Sequence, residues 1–232
     1  MSKTLIFGGT FNPVHVGHLR AAVEVAETLG FDRVEWTPSY APLHKAGDAL
    51  LRFELRVELL RAGLHGHARF GVNEIEKDLP VPSVTVQTLE AMARNELEVE
   101  RHFLLGDREF LRLHKWRRGH DVVKLAHIVI ACRTEFDLEA FAGAVAQAWP
   151  GCRRVDPPQG ALMAFELVPG CRAVLLPIPR IDISSSLVRQ RWLEGRSLAW
   201  LLPDGVIELL ERHRPEVTAI WSEASASGPE MS

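Results

Sequence analysis

The chain has 232 residues and a mass of 26.0 kDa, with 47% apolar, 25% charged and 7% aromatic residues, which excludes disorder, collagen and coiled coil and fits one soluble globular domain. A chain of this length buries roughly 70% of the surface its unfolded form exposes, so no disulfide framework or metal is needed to hold a core. Lys and Arg total 27 against 30 Asp and Glu, a formal charge of −3, which excludes a global field toward nucleic acid or anionic membrane and makes any anion site a local one.

In chain order, residues 3–7 predict a short buried strand running into glycines. Leu19, Ala22, Val23, Ala26 and Leu29 then recur at helical spacing until Gly30 stops them. A strand over 33–37, a long loop, a helix over 52–62 and a strand over 69–73 repeat the pattern. A helix over 83–94, strands over 102–105 and 127–131, a helix over 138–149 and a strand over 173–177 follow. This alternation predicts parallel strands joined by helices, a doubly wound α/β sheet covered on both faces, in a single domain over residues 1–214. Between 151 and 172 the pattern weakens, and the alternating run 164–168 predicts a hairpin or surface excursion. Residues 203–214 read as a last helix with Pro203 at its start, and 215–232 as a poorly ordered tail. Cys132, Cys152 and Cys171 are odd in number and lack Cys-x-x-Cys spacing, which predicts free thiols in a reducing compartment, the cytoplasm. The apolar stretch near Met1 is too short for a signal-peptide core, and no apolar run approaches a membrane span.

The most informative stretch, Gly8-Gly9-Thr10-Phe11-Asn12-Pro13-Val14-His15-Val16-Gly17-His18, lies between the first strand and its helix. In open α/β sheets that loop sits where ligands bind, and a helix start offers unpaired N–H donors to an anion. Gly8 and Gly9 let the backbone approach a phosphate, and Thr10 adds a hydroxyl. His15 and His18, three apart on a helical turn, point to one side, where imidazoles donate to phosphate oxygens. Two glycines after a strand also make a plain turn, and a His-x-x-His pair also occurs with no role or as half a zinc site. Zinc needs further ligands, and none stand nearby in a recognisable spacing. The Gly-x-Gly-x-x-Gly and Gly-x-x-x-x-Gly-Lys-Ser/Thr patterns are absent.

A second candidate, Ile183-Ser184-Ser185-Ser186-Leu187-Val188-Arg189, opens a helix. Its serines suit an N-cap; its hydroxyls, N–H groups and Arg189 also make an anion site facing the first across the sheet. Two such sites suit a reaction on a triphosphate, which needs positioning and charge stabilisation more than covalent help. A phosphate monoester with a second pKa of about 6 is already mostly dianionic at pH 7 and attacks without a general base.

The first stretch closely resembles the signature of the nucleotidyltransferase superfamily that carries a His-x-Gly-His motif, and within it the chain resembles the bacterial nicotinate mononucleotide adenylyltransferases. Supporting segments run from Leu5 to about Leu210. Residues 183–189 are similar to the family's Ile-Ser-Ser-Thr-x-x-Arg, with Ser186 in the Thr place. Pro42-Leu43-His44-Lys45 is similar to its Pro-Pro-His-Lys/Arg element, and Pro82-Ser83-Val84-Thr85-Val86-Gln87-Thr88-Leu89 to its Pro-Ser-Tyr-Thr-x-x-Thr-Leu segment. The resemblance implies a Rossmann-like fold and transfer of AMP from ATP to nicotinate mononucleotide, giving deamido-NAD and pyrophosphate. It further implies Mg²⁺ bound with ATP and no metal held by protein side chains.

By the same resemblance His15, His18 and Arg189 are catalytic. Gly8, Gly9, Thr10, Phe11, Gly17, His44, Lys45, Ile183, Ser184, Ser185 and Ser186 bind ATP, and Thr85, Gly106, Asp107, Trp116 and Arg133 bind the acceptor. Trp116, in a polar neighbourhood and so a poor core candidate, takes the place of a Trp that stacks on the nicotinate ring in the family. The chain departs from the family at Gly106-Asp107-Arg108, where Gly-x-Asp is usual, at Val84 in place of Tyr, and at Thr134 in place of Pro. Alternatives are an adenylyltransferase for nicotinamide mononucleotide or phosphopantetheine, a non-catalytic nucleotide sensor, and an aminoacyl-tRNA synthetase fragment. The last is disfavoured for want of an anticodon module, a zinc knuckle and a basic face. The expected partners are small-molecule substrates, with no nucleic acid and no membrane; self-association into a homo-oligomer is left open.

Overall fold

The computed structural model describes residues 2–42, 49–132 and 137–226, the last three of these by backbone alone. His44, Lys45 and Arg133 lie outside the described residues. Eight strands form one sheet: β1 (Ser2–Gly9), β2 (Arg33–Pro38), β3 (Phe70–Val72), β4 (Val99–Gly106), β5 (His127–Cys132), β6 (Arg153–Val155), β7 (Met163–Val168) and β8 (Cys171–Pro177). Their order is β3-β2-β1-β4-β5-β8-β7-β6. Strands β3 through β8 in that order run parallel, and β7 and β6 close the far edge antiparallel. The chain leaves β1 toward β2 on one side and β4 toward β5 on the other. The crevice between β1 and β4, at their carboxyl ends, is therefore the point where the winding reverses and ligands bind in such sheets.

Successive strand residues alternate faces, so a strand buried on both sides reads as a continuous apolar run. Leu5, Val34, Trp36, Leu104 and Val129 face a first core, with α1 (Val16–Leu29), α2 (Phe53–Gly63) and three helices introduced below. Ile6, Phe103, Leu105, Ile128 and Ile130 face a second core, covered by α3 (Thr85–Asn95), α4 (Asp107–Arg112), α5 (Gly119–Val122) and α6 (Leu138–Ala148). Leu5 and Ile6, or Phe103 and Leu104, are thus neighbours in sequence that serve opposite layers. The first core is completed by α7 (Ser185–Leu193), α8 (Asp204–Arg212) and α9 (Arg214–Ala226).

One expectation is corrected, and one pair of alternatives is decided. The tail expected from residue 215 is helix α9 as far as Ala226: Val217 and Trp221, four apart, are fully buried on the first core, and Trp221 meets Trp192 edge-on at 5.8 Å. The Trp192 indole N–H also donates to Thr218 Oγ1 at 3.0 Å. Those two positions, with Ile220 half-buried beside them, dock a helix too weakly apolar to show in the pattern. Of the two alternatives for the run at 164–168 the hairpin holds: it is strand β7, paired antiparallel with β8, and Met163, Phe165 and Leu167 bury on the second core. Strand β6, and helices α4 and α5, were absent from the sequence reading; each is three to six residues long and too short for periodicity to register.

Candidate active site

The first loop is shaped before any ligand meets it. Phe11 adopts a left-handed φ of 48°, a conformation costly for a bulky residue that persists only when its surroundings impose it. The imposing contacts are aromatic: the Phe11 ring lies 5.5 Å from Phe7, 5.3 Å from Trp36 and 5.3 Å from His18. A Cβ on Gly9 would stand 2.9 Å from the same ring, so the second glycine makes room for Phe11. Asn12 ties the loop sideways, its amide donating to Ala49 O at 2.7 Å and its carbonyl oxygen accepting from Leu51 N at 3.1 Å. Beneath it lies Arg56, 1% exposed, which donates to Thr10 O at 2.8 Å, Leu51 O at 3.0 Å and Tyr40 O at 3.4 Å. Burial lowers this guanidinium to about 10, and Glu76 and Glu54 act in the other direction.

His15 is the N-cap of α1, and its buried ring stacks on that of His18 with centroids 3.7 Å apart. The His15 backbone N–H donates to His18 Nδ1 at 3.3 Å, the role Glu or Gln plays three residues into other helices. An accepting Nδ1 puts the proton of the neutral ring on Nε2 and leaves that N–H as the donor. Gly17 explains the middle of the motif, since a Cβ there would sit 3.1 Å from His15 Nδ1 and displace the stacked ring. One expectation is corrected: the first N–H of α1 is not offered outward, because Val16 N–H donates to Leu201 O at 3.0 Å.

The second anion segment meets the first directly. Ser184 caps α7 by accepting from Leu187 N at 3.1 Å. Ser185 Oγ donates to Pro13 O at 2.9 Å, and Arg189 donates to Asn12 O at 2.9 Å and to Ser186 Oγ at 3.1 Å. Ile183 is half-buried against the first core. The structure therefore brings together Gly8, Gly9, Thr10, Phe11, His15, Gly17 and His18 with Ser185, Ser186 and Arg189. All three serine hydroxyls bond to the protein itself.

Gly106 and Asp107 begin α4 at the carboxyl end of β4, and Thr85 is the first residue of α3 after its cap, Val84. Trp116 ends a short turn after α4 and is half-buried against the second core, so the view of it as a poor core candidate is corrected in part. Gly119 holds that turn closed, as a Cβ would stand 1.8 Å from Leu113 O. Two residues escaped the sequence reading. Arg56 lies three after Phe53 and four before Leu60, on the buried face of α2, and that position was its signal. Glu76 sits in an acidic, solvated-looking run and gave none.

A doubly wound sheet whose two helix starts, one carrying a histidine pair and the other an arginine, join at its switch point has the architecture of an α/β protein that handles nucleotides. Residues 6–191 match the family model described as Cytidylyltransferase-like, and the chain belongs to that family. A protein of Desulfatibacillum aliphaticivorans named "Probable nicotinate-nucleotide adenylyltransferase" is 32% identical over 214 residues, covering 89% of this chain and 96% of its own. One of the same name from Dechloromonas aromatica is 32% identical over 217 residues, covering 92% and 97%. The fold is also that of Plasmodium falciparum nicotinic acid mononucleotide adenylyltransferase in a complex with NaAD, at a TM-score of 0.67 and 14% identity, covering 92% of this chain and 97% of the other.

Proposed function

We propose that this chain transfers the adenylyl group of ATP to nicotinate mononucleotide, forming deamido-NAD and releasing pyrophosphate. It is a nucleotidyltransferase of NAD biosynthesis, as are the relatives that match it over nearly their whole length by name. The observation that carries the reading is the clasp of Arg189 and Ser185 on the backbone of residues 12 and 13, which leads straight into the histidine pair.

A dianionic phosphate oxygen of the acceptor attacks the α-phosphorus of ATP. The new bond forms to that phosphorus as its bond to the bridging oxygen breaks, and the electron pair leaves on pyrophosphate. His18 Nε2–H, the His15 imidazole and the Arg189 guanidinium are the groups we assign to the growing negative charge, preorganised by the stack and the cap. Thr10, Ser186 and the glycines form the bed of the triphosphate. Thr85, Gly106, Asp107 and Trp116, around the start of α3 and the end of β4, take the acceptor. Magnesium, where it is bound with ATP, would relieve part of the charge on the leaving pyrophosphate. Imidazoles, hydroxyls, N–H groups and a guanidinium suit an ion carried by the phosphates; Asp182, the acid beside the second segment, is exposed and paired with Arg180. Among the described residues no helix is long and apolar enough to cross a membrane. Burial pushes the Cys132 thiol up to about 11 and Cys171 up to about 12, and we place the reaction in the cytoplasm, where free thiols persist.

The test is pyrophosphate release from ATP with nicotinate mononucleotide, nicotinamide mononucleotide or phosphopantetheine as the acceptor. Release is expected chiefly with the first. Release confined to phosphopantetheine overturns the acceptor, and none with any of the three overturns the activity.

A further inference from the structure

One carboxylate gathers three donors from two segments that flank the crevice. Glu76, in the short turn at Ile75–Asp78 that follows β3, accepts from Tyr40 N at 3.1 Å and Ser83 Oγ at 3.1 Å through Oε2, and from Thr88 Oγ1 at 2.9 Å through Oε1. Tyr40 belongs to the loop after β2, whereas Ser83 and Thr88 bracket the first turn of α3. The turn that carries Glu76 is itself anchored: Ile75 N donates to Asn73 Oδ1 at 3.1 Å, and Asn73 donates to the buried Glu35 at 2.8 Å.

On its other side Tyr40 accepts, through its carbonyl, from Arg56, whose second arm holds Thr10 of the nucleotide loop. A continuous run of bonds thus links Thr10, Arg56, Tyr40, Glu76 and the start of α3. We propose that Glu76 is a positioning residue that sets the acceptor-binding start of α3 against the ATP-binding loop, through Tyr40 and Arg56. Ser83 lies one residue before the cap of α3, Val84, and gives its hydroxyl to this purpose. The carboxylate suits the task because it only accepts, so all three donors meet one rigid group. The proposal rests on the adenylyltransferase reading and on α3 being the acceptor side.

The test compares steady-state kinetics of the wild-type chain and Glu76→Gln with ATP and nicotinate mononucleotide. The amide keeps the shape but turns one acceptor into a donor facing Tyr40 N–H and Ser83. The expected result is a rise of about tenfold in KM for the acceptor, the size of one lost hydrogen bond to a charged group, with KM for ATP within twofold. Ser83→Ala, which leaves the carboxylate in place, should raise the acceptor KM alone by a smaller factor and serves if Glu76→Gln does not fold. Acceptor KM unchanged in the variants, or both KM values rising in step with a fall in melting temperature, overturns the proposal in favour of a merely structural role. An inactive wild-type chain instead sinks the adenylyltransferase reading on which it rests.

Discussion

At the scale of single residues, the His-x-Gly-His motif is a packing arrangement before it is a chemical one. His18 accepts the cap bond with one nitrogen, which presents the other as a donor of fixed direction. His18→Ala is expected to lower kcat about 10²–10³-fold, with little change in acceptor binding, as for other preorganised oxyanion donors. Near-normal turnover in that variant removes His18 from the mechanism. Gly17→Ala asks a finer question. The added methyl meets His15 at 3.1 Å, so the stacked ring must shift, and misplacement of about an ångström costs up to 10²-fold. We expect at least a tenfold loss in kcat at an unchanged melting temperature; wild-type turnover would mean that the ring's position is not critical. Arg189→Lys replaces a planar fork that spans Asn12 O and Ser186 Oγ by a point charge, and full activity there reduces Arg189 to a surface cation.

At the scale of elements, α9 and the turn around Trp116 divide stability from function. Trp221 is buried between α9 and α7, far along the chain from either anion segment. Trp221→Ala should cost about 3–5 kcal/mol of stability, read by denaturant titration, while the KM values of the folded fraction stay put. Trp116→Ala should do the reverse, raising the acceptor KM several-fold, since aromatic stacking is worth about 0.5–1.5 kcal/mol beyond burial. Because Trp116 is half-buried, an unchanged acceptor KM with a collapsed melting temperature assigns it to the core. These contrasts explain what the sequence could convey. Long helices such as α1 announce themselves by period, strands buried on both faces by short apolar runs, and the two candidate segments by residue type at a strand end. Trp221 and Glu76 do not, because their roles come from partners that only the tertiary fold supplies: Trp192 for one, Tyr40 and Ser83 for the other.

For the molecule as a whole, the amino-terminal rim of the sheet sets a pH dependence of folding separate from catalysis. There His102 of β4 and His127 of β5 pair across the strands with ring centroids 4.8 Å apart, beside Glu100, Lys3 and Phe31. The three residues Glu100, His102 and His127 have the donor types of a metal site. His127 Nδ1, however, accepts from Arg172 N at 3.0 Å, which leaves a proton on Nε2, 3.9 Å from Glu100, so that this ring has no nitrogen lone pair left for a metal. Burial, then the charges of His127 and Lys3, lower the His102 pKa from 6.5 to about 3. Between those values the unfolded chain binds more protons than the folded one. Stability should therefore fall as pH drops from about 6.5 toward 3, by a few kcal/mol in all, and be indifferent to this group above that window. Denaturant midpoints measured against pH should show a shallower acid limb in His102→Gln, and parallel limbs would acquit the imidazole.

The clasp of Arg189 on Asn12 joins residues 177 apart in sequence, and Ser185 reaches back 172 to Pro13. During synthesis the signature motif leaves the ribosome well before the residues that hold it, so the loop has no clasp until Arg189 has followed. Nascent chains cut short before Ser185 would display the motif without its geometry. The shape of the loop is thus acquired late, only once its distant partner segment has been made.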